Sequence, residues 1–336
     1  MTGFASVAAF EAALADLPPP DEAARADAAH RQANLTKPPG SLGRLEGIAL
    51  FLAGWQGRAR PRLDRGRVAI FAGNHGIAAR GVSAYPAAVT AQMVANFEAG
   101  GAAINALARA AGLELVVRPL DLDRPTRDFT ADAAMSEADC LHALDAGAAV
   151  VEDGLDLLLL GEMGIGNSTA AAALCAASFG GAGRDWVGPG TGVSAEGFAA
   201  KVAAVDTALS RHRDAGSAFE RLRRLGGREM AAIAGAVVAA RRARVPVLLD
   251  GFICGAAVAP LAADRPGIVD HCLAGHRSAE PGHARLLARL GLEPLLALDM
   301  RLGEGSGAAV AAGVVRAALA AHDGMATFAE AGVSTA

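Results

Sequence analysis

The run Leu155-Asp156-Leu157-Leu158-Leu159-Leu160-Gly161-Glu162-Met163-Gly164-Ile165-Gly166-Asn167-Ser168-Thr169 reads as a strand, a glycine-rich turn and the start of a helix. Residues 155–160 are apolar but for Asp156, the length and character of a strand buried on both faces. Three glycines then break the run, and the alanine-rich stretch 169–178 has helical composition. A buried strand followed directly by a turn and a helix is half of a βαβ unit, and places the strand in a parallel sheet.

Working outward, short apolar runs at 67–72, 113–120, 245–249, 267–270 and 294–298 read as further strands. Helical stretches at 87–110, 136–153 and 230–243 lie between them, so the fold class is α/β with a parallel sheet. The polar stretch 121–130, with Pro125, reads as a loop. Towards the N-terminus, helices are expected over 4–17, stopped by Pro18-Pro19-Pro20, over 21–33, and over 45–55. The segment Lys37-Pro38-Pro39-Gly40-Ser41-Leu42-Gly43 cannot continue a helix and is a structured turn. Both chain ends lack strands. Segments 1–33 and 305–336 are therefore expected to pair as a small helical domain beside an α/β domain over 34–304.

The 336 residues are 52 % hydrophobic and 20 % charged, a balance that buries a large core and excludes disorder over most of the length. A net charge of −4 and a pI near 6.1 argue against a nucleic-acid surface. Cys140, Cys175, Cys254 and Cys272 form no CxxC pair and read as buried free thiols. No basic segment precedes an apolar stretch at the N-terminus, and no run of about 18 apolar residues occurs. A cytoplasmic protein with no membrane contact is the expectation.

In parallel α/β sheets ligands bind beyond the carboxyl ends of the strands. Four glycine-rich segments fall at such places or in loops: 161–169, Gly188-Pro189-Gly190-Thr191-Gly192, Gly275-His276-Arg277-Ser278-Ala279-Glu280 and Leu302-Gly303-Glu304-Gly305-Ser306-Gly307. The first can cradle a phosphate on backbone N–H groups at a helix N-terminus, or can simply be a tight strand-to-helix turn. It matches neither the dinucleotide fingerprint nor the Walker motif. Glu304, flanked by glycines just past a strand, is the strongest catalytic candidate. Its other reading is an acid at a helix start, worth about 0.3–1 kcal/mol. His75 could touch a ligand or bond a loop carbonyl. Lys201 begins a helical stretch and could bind phosphate or sit in solvent. His271, Cys272 and His276 fit no common zinc spacing, and no metal is expected. The run 221–224, rich in arginine, reads as a solvated face.

Together, Lys37-Pro38-Pro39-Gly40-Ser41-Leu42-Gly43-Arg44-Leu45-Glu46, the 161–169 turn, Leu248-Leu249-Asp250-Gly251-Phe252 and Met300-Arg301-Leu302-Gly303-Glu304-Gly305-Ser306-Gly307 resemble, in order, the signatures of the nicotinate-nucleotide–dimethylbenzimidazole phosphoribosyltransferase family. The resemblance runs from about Pro18 to the last helix. It implies a Rossmann-like parallel sheet with helices on both faces, a small helical domain from both chain ends, and a homodimer. It implies Glu304 as general base, with Glu162 also catalytic. For substrate it implies Lys201, Gly164, Gly166, Asn167, Ser168, Thr169 and Gly190 near the nucleotide, with Ser278 helping to hold phosphate. Ser83, Tyr85, Met93, Leu302 and Gly303 belong to the remaining substrate contacts. Tyr85 and Met93 stand where some relatives have small polar residues, and Asn74 where some carry an acid, which bears on the choice of base rather than on the reaction.

The implied substrates are nicotinate mononucleotide and a benzimidazole, and the implied products are α-ribazole 5′-phosphate and nicotinate. The pyridinium leaves as a neutral ring nitrogen and needs no proton, whereas the attacking benzimidazole must lose one. A single base suffices, with no metal or redox cofactor, and a carboxylate such as Glu162 is expected to stabilise the oxocarbenium-like state. The rival readings are a non-catalytic nucleotide-binding sensor using the same turns, and a metal-dependent hydrolase built on His271, Cys272 and His276.

Overall fold

Six strands form one parallel sheet: β1 (Gly66–Ala72), β2 (Glu114–Pro119), β3 (Leu157–Met163), β4 (Val247–Leu249), β5 (Cys272–His276) and β6 (Pro294–Leu296). The computed structural model describes residues 3–190 and 192–334. Thr191 of the glycine-rich loop, and residues 1–2 and 335–336 of the expected terminal domain, lie outside the described residues.

The spatial order is β2-β1-β3-β4-β5-β6. The chain runs from β1 outward to β2, then crosses back to lay β3 on the other side of β1, with Gly66 paired to Leu157 and Ala72 to Met163. The direction of winding reverses between β1 and β3, and a crevice opens at their carboxyl ends. Every residue of β1 is buried, while edge strand β2 is partly exposed.

The pleat sends alternate side chains of β1 to opposite layers. Ala69 and Phe71 join the cluster formed with the alanine-rich helices Asn167–Phe179, Arg228–Arg242 and Phe252–Asp264. Val68 and Ile70 join the cluster formed with Arg44–Gln56, Ala103–Ala110 and Ser306–Gly324. Helices therefore cover both faces, the Rossmann-like layering that the resemblance implied.

At the chain ends, Arg31 of helix Glu22–Asn34 donates to the carbonyls of His322, Asp323 and Met325, each at 2.9 Å. Leu35 also forms a bridge with Thr327. The helix Val7–Ala15 sits in the other layer, where Phe10 packs against Phe219 with ring centroids 6.2 Å apart.

Several sequence expectations need correction. Residues 267–270 are not a strand: Pro266–Val269 is a 3-10 turn, and the strand is Cys272–His276. The stretch 87–110 is two helices, Ala88–Glu98 and Ala103–Ala110, separated by Gly100 at φ 79° and Gly101. The expected strand 294–298 ends at Leu296. Helices Ala218–Leu225, Phe252–Asp264 and Pro281–Leu290 were not foreseen. The arginines of the 221–224 run are not fully solvated. Arg221 pairs with Asp264, and Arg223 and Arg224 pair with Glu220, while Leu222 is buried.

Candidate active site

The crevice at the carboxyl ends of β1, β3, β4 and β5 is a cleft of about 840 Å³, counting the space at its open mouth. One wall is the turn that the opening run of sequence foretold. Glu162, Gly164, Gly166, Asn167 and Ser168 all line it. Gly166 takes φ 94°, a left-handed conformation that lets the chain turn from β3 into the helix Asn167–Phe179. Thr169, one residue further, is fully buried inside that helix and does not reach the cleft.

A polar corner forms where this helix begins. Lys201 Nζ donates to Ser168 Oγ at 3.0 Å and to the Gly188 carbonyl at 2.7 Å. A side-chain carbon at Gly190 would stand 3.2 Å from both Lys201 Nζ and Ser168 Oγ, so the three residues converge. Lys201 lies inside the helix Ala195–Arg211 instead of beginning it, and is completely buried, which removes the surface-lysine reading. Burial holds its ammonium below the usual lysine range, partly offset by Glu280. Ser278 lines the same cleft, its hydroxyl 2.9 Å from His283 Nδ1.

The acids gather at the inner side. Asn167 donates a side-chain hydrogen bond to Glu162 Oε2. Burial, reinforced by the neighbouring Glu229 and Asp250 carboxyls, pushes Glu162 up to about 8. Burial and the neighbouring carboxyls thus favour its neutral form, against the Asn167 hydrogen bond, which favours the charged one.

Glu304 is buried, and its Oε2 has no hydrogen-bond partner among the described residues. Glu304 does not itself line the cleft: it stands directly behind Leu302 and Gly303, which do, and its own φ is 63°. A glutamate in the left-handed region costs on the order of 1–2 kcal/mol, a strain typical of functional positions. Burial raises its carboxyl above the usual range. The turn it sits in is pressed onto β3, where a side chain at Gly161 would meet the backbone nitrogen of Gly305 at 2.6 Å.

Ser83 lines the cleft beside Val82, whereas Tyr85 is half exposed and Met93 packs into the hydrophobic layer under β1. Neither Tyr85 nor Met93 reaches the cleft wall. His75 faces neither ligand nor loop carbonyl: its Nε2 meets Glu229 Oε1 at 2.6 Å, both side chains fully buried. His271 bonds the Val237 carbonyl at 3.1 Å, while His276 lines the cleft. The described residues contain no group of three acidic, histidine or cysteine side chains placed to hold a metal. The four cysteines are buried and free.

His276, Glu280, Arg301 and Phe252 also line the cleft, and none was assigned to substrate from sequence. All four lie in or beside the glycine-rich or family-like segments quoted above, and that adjacency was the available signal. Asn74 is buried and donates to the Leu122 carbonyl at 2.9 Å.

A cleft at the switch point of a parallel sheet, with a buried lysine–serine corner at a helix N-terminus and a set of buried carboxyls opposite, is the layout of a nucleotide-transforming α/β enzyme. A family model described as Phosphoribosyltransferase matches residues 17–333. The nicotinate-nucleotide–dimethylbenzimidazole phosphoribosyltransferase of Novosphingobium aromaticivorans is 69 % identical over 99 % of both chains. That of Cereibacter sphaeroides is 58 % identical over 98 % of both. The crystal structure of CobT from Thermus thermophilus superposes with a TM-score of 0.87 at 44 % identity, covering 94 % of this chain and all of that one. The chain belongs to the nicotinate-nucleotide–dimethylbenzimidazole phosphoribosyltransferase family.

Proposed function

We propose that the protein transfers the phosphoribosyl group of nicotinate mononucleotide to 5,6-dimethylbenzimidazole, with Glu304 taking the acceptor's proton. Near-full-length identity to enzymes of that name supports the reaction and disfavours a non-catalytic sensor. The observation that carries the residue assignment is the buried Glu304 carboxylate with one oxygen left unpartnered beside the cleft wall.

The phosphate fits the corner made by Lys201, Ser168 and Gly190, where the cation and the N-terminus of the helix Asn167–Phe179 act together. With the phosphate held there, the ribose lies along the cleft towards the acids. One benzimidazole nitrogen attacks C1′ while the C1′–pyridinium bond breaks and its electron pair returns to the nicotinate nitrogen. The proton on the other benzimidazole nitrogen passes to Glu304 and then to solvent. Attack opposite the leaving group inverts C1′ and gives the α-nucleotide. Positioned proton removal supplies about 10²–10⁴-fold. Alignment of the two rings across C1′ supplies much of the rest. Glu162, tied to Asn167 on the cleft wall, is placed to orient the acceptor or the ribose by hydrogen bonding.

We also infer a cytoplasmic homodimer. Tyr85 and Leu298 are exposed apolar side chains away from the cleft wall, and no helix among the described residues is long and apolar enough to cross a membrane.

Product analysis tests the reaction. Nicotinate should be released from nicotinate mononucleotide only when dimethylbenzimidazole is added, with α-ribazole 5′-phosphate formed in equal amount. Binding of both compounds without release of nicotinate would overturn the enzymatic reading.

A further inference from the structure

We propose that Asp250 is a positioning residue for Glu304, clamping the turn that carries it. Asp250 directly follows the end of β4 and is almost fully buried. Its Oδ2 accepts from the Gly305 N–H at 3.2 Å and its Oδ1 from the Ala308 N–H at 2.9 Å. Those amides bracket the start of the helix Ser306–Gly324, so one carboxylate from a neighbouring strand ties down the residue after Glu304 and the first turn beyond it. On the other side the Glu304 N–H donates to the Glu162 carbonyl at 3.3 Å, and Gly161 packs against the Gly305 nitrogen. Glu304 is thereby gripped from β3 and from β4.

The grip is needed because Gly303, Glu304 and Gly305 all have positive φ, at 83°, 63° and 78°. Three consecutive left-handed residues do not persist without outside constraint, least of all with a glutamate in the middle. No residue of the turn supplies that constraint through its own side chain, and the helix N-terminus has no local side-chain cap. Asp250 takes that role from across the sheet. His276 Nε2 lies 3.6 Å from Asp250 Oδ1, on the side facing the cleft. Asp250 itself does not line the cleft. Both of its oxygens are engaged by amides of the turn, so its effect passes through the geometry of Glu304, and the proposal rests on the reading of Glu304 as the base.

A double-mutant cycle with Asp250→Asn and Glu304→Gln tests this, using purified full-length protein, nicotinate mononucleotide and dimethylbenzimidazole. Asparagine keeps the size but presents an NH₂ group to one of the two amides, so one bond of the clamp is lost. We expect kcat to fall about tenfold, as for a base displaced by a fraction of an ångström, with KM for nicotinate mononucleotide changed less than about twofold. In the Glu304→Gln background the same substitution should change kcat less than about twofold, since nothing is left to misplace. A wild-type kcat in Asp250→Asn, or a comparable loss that persists in the Glu304→Gln background, would overturn the clamp while leaving the base assignment intact. A wild-type kcat in Glu304→Gln alone would instead remove the base, and the clamp with it. Should Asp250→Asn not fold, Asp250→Ser, which keeps an acceptor oxygen but is too short for both amides, runs the same cycle with the same outcomes.

Discussion

The backbone N–H of Glu304 donates to the backbone carbonyl of Glu162 at 3.3 Å, so the acid just behind the cleft wall is joined main chain to main chain to an acid that lines it. Glu162 is the penultimate residue of a strand in the middle of the sheet, and Glu304 begins the turn before the last long helix. Their spacing is therefore set where the central strand meets the start of the last long helix, and it can be perturbed from either side.

Glu304→Gln should fold as the parent does and lose about 10²–10⁴-fold in kcat, the usual contribution of a positioned base. Glutamine preserves shape and polarity but takes up no proton. Steady-state assays with separate titration of each substrate check this, and KM for nicotinate mononucleotide should hardly change.

Glu304→Gly should be more stable than the parent by about 1 kcal/mol while losing turnover. It relieves a left-handed backbone at φ 63° and removes a buried carboxylate that has an unpartnered oxygen. Urea unfolding with an unchanged slope and a higher midpoint is the expected result. A lower midpoint would mean that the turn is not strained.

Lys201→Ala should raise KM for nicotinate mononucleotide about tenfold or more with a smaller effect on kcat, as expected when a charge-assisted contact to a phosphate is removed. The Gly188 carbonyl and Ser168 hydroxyl also lose their partner, so a modest loss of stability accompanies it. Competition by inorganic phosphate, at constant ionic strength, should weaken in parallel.

The share of stability contributed by Glu162 and Asp250 should fall as pH rises from about 4.5 to 8, against the opposite trend set below about pH 6.5 by His271 and His283, whose burial holds them down at about 3. Glu162 is pushed from its ordinary 4.5 up to about 8, and Asp250 from 3.8 up to about 7. Burial is the main cause for both, and in Asp250 it outweighs the opposing bonds from the Ala308 and Gly305 amides. Since the folded values lie above the unfolded ones, the folded chain holds more protons, and that stabilisation is lost as the acids ionise. Glu162→Gln cannot titrate, so its unfolding midpoint should fall less over the same pH range. A parallel fall in both proteins would assign the pH dependence elsewhere.

Much of this was legible in the chain itself. The leucine run before Gly161 and the alanine-rich helix after it gave a buried βα unit, because apolar content and glycine punctuation are local properties. Strand β5 was missed because its residues, Cys272 to His276, include a histidine and a glycine that look unlike a strand. Its pairing to β4 and β6, and the burial of His276 beside Asp250, are long-range facts that overrode local preference. The break between the helices Ala88–Glu98 and Ala103–Ala110 was signalled by Gly100-Gly101, and the surrounding alanines obscured it. At the site, Lys201 looked like a surface lysine because no local pattern reports that Ser168 and Gly188 will fold onto it. Asp250 lay within a quoted segment, but its two bonds to the turn after Glu304 span 55 and 58 residues of sequence, beyond the reach of any local signal.

The most direct test is one distance: from the Glu304 carboxylate to the ring nitrogen of dimethylbenzimidazole that loses its proton, in a crystal of the enzyme with that acceptor and nicotinate mononucleotide or their products. Proton transfer requires about 2.6–3.2 Å, or one bridging water. That separation, with the phosphate at Lys201 and Ser168, is the expected result. An acceptor nitrogen bonded to Glu162 or to solvent, with Glu304 out of reach, would contradict the assignment of Glu304 as the base.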